Sequence, residues 1–421
     1  MNTRTLLRWG DLEERRRRAA RPVLLRSPWL VPVVGGAAVA LAVAALLRGD
    51  DPDRFATASR AWLALALLVH TAVMLGAPFR LFWRHDGALL ARLPLPGGAL
   101  FDVAAIRGAR ASVRAVIVCA PALIVFGLED WAWAARHAAL LGALALASAG
   151  LVPATALAAG GLVASEKAQA LGKSFGGEVQ LSGTGWLGAL PGLAMSAVVI
   201  VAILCVPWLG GATATAIGPG WLVVAGLGGA AVIAVAMARA AAPAVMPHAL
   251  REVVALDRQQ LAHLEIHPPT GIERAVARLL GPGARLVHGK DARLMRRRFP
   301  LAYVVGAVGT ITLWIMAASR PEGLVVWSTA VAGALALYGV VLARRLGEAP
   351  IEQGITLIVL PIDPAATRAA KRAWFATWLL IYVGVGAVPV IARASAPLVC
   401  AAALIGVIAV GLGVGARAVR A

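Results

Sequence analysis

Charge is scarce in this chain, and acid is scarcer still. Of 421 residues only 14% are charged, and 21 acidic residues stand against 40 basic ones. A soluble domain of this length needs far more charge to cover its surface, so the composition excludes an ordinary soluble fold. Cysteine is nearly absent. Cys119, Cys205 and Cys400 each lie in an apolar run with no CxxC spacing, which leaves no disulfide framework or thiolate metal site and makes them small packing residues. Aromatic residues are 6% of the chain. The net charge of +19 therefore has no base-stacking module to accompany it, and nucleic-acid binding is not expected.

What is abundant is apolar and small. Hydrophobic residues make up 60% of the sequence, mostly Ala, Val and Leu, and 45 glycines accompany them. Such residues let helices approach closely inside a bilayer. A crossing helix needs about 20 apolar residues. Candidate runs occupy 29–47, 61–82, 115–128, 138–164, 186–209, 219–238, 299–318, 323–343, 373–392 and 396–416. The third is short, with Arg110 and Arg114 pressing on its start, and Pro153 marks the fourth for a kink. The 28 residues before the first run are too long for the basic region of a signal peptide, so a retained first helix is expected.

Basic residues collect on the cytoplasmic side of bilayers. With the N-terminus cytoplasmic, only Arg48, Arg54, Arg60, Arg136, Arg320 and Arg393 of the 40 basic residues fall outside. The expected fold class is therefore an all-α polytopic membrane protein of about ten transmembrane helices in two related groups, six plus four. Both the N-terminus and the C-terminus are cytoplasmic, in a bacterial-type inner cell membrane. Its parts are a cytoplasmic basic amphipathic segment (1–28), a first transmembrane group (29–246), a cytoplasmic helical linker (247–298) and a second transmembrane group (299–421). Residues 3–26 combine Leu6, Leu7, Trp9 and Leu12 with Arg15, Arg16, Arg17 and Arg18, the pattern of an interfacial helix drawn to anionic lipid at the cytoplasmic face.

Apart from Arg80, which lies at the cytoplasmic end of the second run and counts with the loop that follows, there is no Asp, Glu, Lys or Arg inside the ten runs, and His70 is the candidate intramembrane polar site. That scarcity disfavours a proton- or sodium-coupled transporter, which needs an acidic group at mid-depth. No paired carboxylate, Ser–His motif or HExxH helix marks an intramembrane enzyme, and His85, Asp86 and His137 read as interface residues. Leu171-Gly172-Lys173-Ser174 ends like a phosphate-binding loop, but Lys167 stands where its first glycine belongs. No catalytic, cofactor-binding or metal-binding residue is expected.

Two loops repeat. Residues 87–94 read GALLARLP and 354–361 read GITLIVLP, both G-x-x-L-x-x-L-P at an offset of 267, each after the second span of its group. Arg26-Ser27-Pro28 and Arg298-Phe299-Pro300 precede the first span of each group. An apolar turn stopped by proline under the membrane fits the pattern. Parallel repeats of this kind recur in transporters.

The segments FWRHDGALLARLPLPGGALFDVAAIRGAR and GEAPIEQGITLIVLPIDPAATRAAKRAWF, with the basic lead-in KDARLMRRRFPL, resemble the permease subunits of ABC-type exporters. That resemblance implies a connecting helix at 3–24, an export pathway, and a separate nucleotide-binding ATPase that docks on two coupling loops. Asp86, Leu90, Leu93 and Pro94 would mark the first loop, and Glu352, Leu357, Leu360 and Pro361 the second. The family carries six helices in each half, so the second group here is two short, and a second membrane subunit or a homodimer is the implied way to close the seam. Against this expectation stand a non-transporting scaffold or sensor, and a secondary transporter working through His70.

Overall fold

A computed structural model describes residues 3–19, 27–48, 53–82, 90–163, 165, 186–210, 219–262, 270–298, 301–320, 323–347 and 363–418. Among these residues all regular structure is helical. The chain divides into two compact units, Met1–Leu256 and Asp257–Ala421.

The first unit contains α1 (Thr3–Ala19), α2 (Leu30–Leu47), α3 (Arg54–Leu75), the short α4 (Ala77–Leu81), α5 (Gly97–Cys119), α6 (Pro121–Glu129), α7 (Trp131–Leu146), α8 (Val152–Val163), α9 (Trp186–Leu204) and α10 (Val206–Gly210). α11 (Pro219–Ala262) begins in this unit and ends just past its boundary. The second unit contains α12 (Gly271–Arg278), α13 (Pro282–Arg298), α14 (Leu301–Ser319), α15 (Leu324–Gly347), α16 (Pro364–Leu379), α17 (Val385–Arg393) and α18 (Pro397–Ala418). Seven helical segments are long and apolar enough to cross a bilayer; α5 and α6, bent by 40° at their junction, make an eighth if taken as one span. Leu190–Leu204 and Val305–Ser319 are shorter apolar helices. This is the architecture of a multi-pass helical membrane protein.

Local chemistry explains the breaks. Pro121 and Pro364 sit in first helical turns, where a missing N–H costs nothing. Asp130 caps α7 by accepting from the Ala132 N–H at 2.9 Å, and Asp363 caps α16 by accepting from the Ala365 N–H at 2.9 Å. Thr270 and Glu273 form a reciprocal capping box at the start of α12. The kink expected at Pro153 takes a specific form. Residues Ala147–Leu151 make a π-helical turn in which the Val152 N–H reaches the Ala147 carbonyl, two residues before the proline. A second π turn, Leu380–Gly384, ends five residues before Pro389.

Helices approach where side chains are small. A Cβ on Gly36 would stand 2.6 Å from the Ile117 carbonyl oxygen, so only glycine lets α2 lie this close to α5. The core of the first unit at its loop end gathers Leu81, Phe82, Leu90, Phe101, Leu157, Met246 and Leu250.

The order of elements in the first unit recurs in the second. α2, α3, α5, α6 and α7 begin at Leu30, Arg54, Gly97, Pro121 and Trp131; α14, α15, α16, α17 and α18 begin at Leu301, Leu324, Pro364, Val385 and Pro397. Neighbours recur too. α2 packs on α3, α5 and α6, and α6 on α7, while α14 packs on α15 and α17, and α17 on α18. A basic helix, α1 or α13, seats on the third-span helix, α5 or α16, in each unit.

Candidate functional site

The first repeated loop is described from Leu90 onward. Leu90 is buried in the core with Phe101 and Leu250, and the chain turns sharply after it, with the Leu93 N–H donating to the Leu90 carbonyl at 3.3 Å. Leu93 is 41% exposed, and Pro94 is exposed beside it. Leu90, Leu93, Pro94, Pro247, Leu250 and Arg251 line a cleft of about 80 Å³. The loop ends at Pro96, whose extended backbone starts α5. A Cβ on Gly97 would run into the Ala242 carbonyl, so α5 begins pressed against α11. Asp86 and His85 lie outside the described residues, as do Glu352, Leu357, Leu360, Pro361 and the 171–174 stretch.

In α1, Leu6 is buried in the same core while Trp9, Leu12 and Arg15 are exposed. Asp11 accepts from Arg110 of α5 at 2.9 Å, fixing α1 along α5. Arg16, Arg17 and Arg18 belong to α1, but their side chains lie outside the described residues. The amphipathic helix thus has an apolar side held by protein and an exposed side carrying Arg15.

His70 is fully buried in α3. A carbonyl can only accept, so its Nδ1 carries the proton and donates to the Ala66 oxygen at 2.8 Å. Its Nε2 finds no partner among the described residues. His137, read from sequence as an interface residue, is instead fully buried in α7. Its Nδ1 donates to the Trp133 carbonyl at 2.8 Å, which leaves Nε2 to accept from the Ser59 hydroxyl at 3.1 Å. Phe126 stacks on the imidazole at 4.1 Å between centroids and Trp62 meets its edge at 4.8 Å. This pair is enclosed by rings, so it ties α3 to α7 rather than meeting a substrate. Ser112 and Ser148 make a second tie at 2.6 Å. Ser148 donates onward to the Ala145 carbonyl, so Ser112 donates to Ser148 and joins α5 to the π turn.

Three cations do what the apolar runs gave no sign of. Arg80 Nη2 donates to the Val73 carbonyl at 2.7 Å, Arg136 Nη1 to the Trp208 carbonyl at 2.9 Å, and Lys371 Nζ to the Leu346 carbonyl. Each acceptor lies in the last turn of a helix or of its short continuation, where the helix end is negative, and the Val73 carbonyl also accepts from the Gly76 N–H at 3.2 Å. Arg136 and Lys371 are 4% and 2% exposed. Both belong to helices that start well before the apolar runs at 138 and 373, at Trp131 and Pro364. The helical interior therefore holds cations, each donating to a carbonyl near a helix end.

Among the described residues no group of three or more His, Cys, Asp or Glu is arranged to hold a metal ion. The three cysteines are buried and unpaired by disulfide. No family model matches the chain, and no curated protein or solved structure is similar to it.

Proposed function

We propose that this chain is the membrane subunit of an ABC-type exporter, crossing its bilayer ten times with both ends cytoplasmic and driven by a separate ATPase. The observation that carries the reading is the repeated run of basic helix, two spans, a loop with the G-x-x-L-x-x-L-P motif in its sequence, a third span in two helical pieces and a fourth span in both units. The ten crossings are the seven long apolar helices, the bent α5–α6 pair, and the shorter α9 and α14. The ATPase docks on the two loops, 83–96 and 348–362, and closes the halves. The seating of Leu90 in the core with Leu93 and Pro94 exposed supports this, because a push on the exposed tip reaches α5 and α11 directly. α1 and α13 lie along anionic headgroups and set the height of the third spans.

Affinity purification of the full chain from native membranes tests the proposal. An ATPase subunit recovered in stoichiometric amount, and lost on Leu93→Asp, is the expected result. Recovery without any ATPase, unchanged by that substitution, sinks the permease reading in favour of a scaffold.

A further inference from the structure

Both repeated loops leave a membrane helix with a carbonyl near its end held by a cation; in the first unit that cation also lies beside the helix on the far side of the loop, and in the second it belongs to that helix. In the first unit α3 ends at Leu75, and Arg80 folds back so that Nη2 donates to the Val73 carbonyl at 2.7 Å. Two glycines form its slot. A Cβ on Gly76 would stand 2.6 Å from Nη1, and a Cβ on Gly108 would stand 3.9 Å from both Nε and Nη2. The guanidinium thus lies between the end of α3 and α5, the helices entering and leaving the loop. In the second unit the roles are mirrored. α15 ends at Gly347, and Lys371 reaches across from α16 to the Leu346 carbonyl.

Burying an ammonium on an inward face is costly unless it is paired, and solvent-facing positions were open on the same helix, as exposed Arg368 shows. Arg136 caps Trp208 by the same chemistry elsewhere in the first unit. What the two loop sites add is a cation where the stems of a repeated loop meet: Lys371 bonds from one stem to the other, and Arg80 bonds within its own stem while lying beside the other. We infer that Lys371 is a positioning residue that ties the helix entering the second repeated loop to the helix leaving it, so that both move as one body, and that Arg80 braces the matching place in the first unit by capping the entering stem while packing beside the leaving one. The source of the push rests on the permease reading; the tie does not.

Amide hydrogen exchange on the full chain in nanodiscs of mixed anionic and zwitterionic lipid tests the tie. Lys371→Met keeps the side chain's length and removes its charge. Exchange at 343–347 and 365–369 should rise about tenfold, the loss of one charge-assisted hydrogen bond, with α18 unchanged. Lys371→Arg should restore protection. In the first unit Gly76→Ala evicts the guanidinium without altering any charge, and exchange at 73–81 should rise alike. Unchanged exchange at these stems, or a uniform rise through the whole unit, overturns the inference. The same preparations are probed for a bound ATPase. A local rise with no ATPase leaves the tie standing and removes the permease; an ATPase with no local rise does the reverse.

Discussion

The second span is crowded from different sides in the two units. In the first, α3 is flanked by α9 and α10 and meets α7 only over a short stretch. In the second, its counterpart α15 lies directly along α18 for much of its length. In the first unit α9 and its short continuation α10 therefore occupy a seat that, in the second, the fourth span takes for itself. The surroundings of the second span thus differ: α9 and α10 cover α3, whereas α15 is closed by the last helix of its own unit.

The largest test of that contrast is to wedge the closure open. A Cβ on Gly411 of α18 already stands 3.2 Å from the Ala336 Cβ of α15, so Gly411→Leu should cost about 3 kcal/mol in detergent-induced unfolding. A tolerated leucine would mean that α18 does not close the second unit. Next comes the first span of each unit. Gly36 faces a backbone carbonyl, whereas a Cβ on Gly306 would stand 2.6 Å from the Tyr382 ring, and a ring can turn where a carbonyl cannot. Gly36→Ala should therefore cost about 2 kcal/mol and Gly306→Ala about 1 kcal/mol, read in the same assay. Equal costs would erase the difference between the two contacts. His137→Leu strands the Ser59 hydroxyl in the aromatic enclosure and should cost about 1.5 kcal/mol, with Ser59→Ala/His137→Leu falling short of the sum of the single changes. Additive effects would show that the pair is not coupled. The smallest effect should be the most even: Asp130→Ala and Asp363→Ala each remove one cap, about 1 kcal/mol by thermal unfolding, and a marked inequality would show that the caps of α7 and α16 do not contribute alike.

Helix positions were legible because a bilayer leaves a long apolar run little else to become. The starts of helices were not. The third run reads from 115, yet α5 begins at Gly97, because its polar first half is helical too and its charges find partners: Arg110 on Asp11 and Asp102 on Arg239 at 3.2 Å. Arg136 and Lys371 escaped for the same reason, lying in helical turns ahead of the apolar runs, with partners that are backbone carbonyls no sequence pattern displays. His137 escaped because its partner, Ser59, is 78 residues away. The loop repeat was visible as letters, but the seating of Leu90 against α11 depends on Pro243 and Pro247 entering the same corner, which the eight-residue motif does not encode.

The π turn at Ala147–Leu151 holds one residue more than an α-helix would at that place. Deleting a single residue there would leave a continuous hydrogen-bonded helix, so the lesion would be nearly silent in secondary structure. It would be loud in address. Everything beyond would swing by about 100° around the helix axis. Trp133, His137 and Leu140 would keep their places, while Ala156, Ala159 and Gly160 would turn away from the neighbours they now fit, Phe82 and Ala249 among them. The bulge acts as a phase setting between the two halves of one membrane helix, and Leu380–Gly384 gives the second unit a setting of its own.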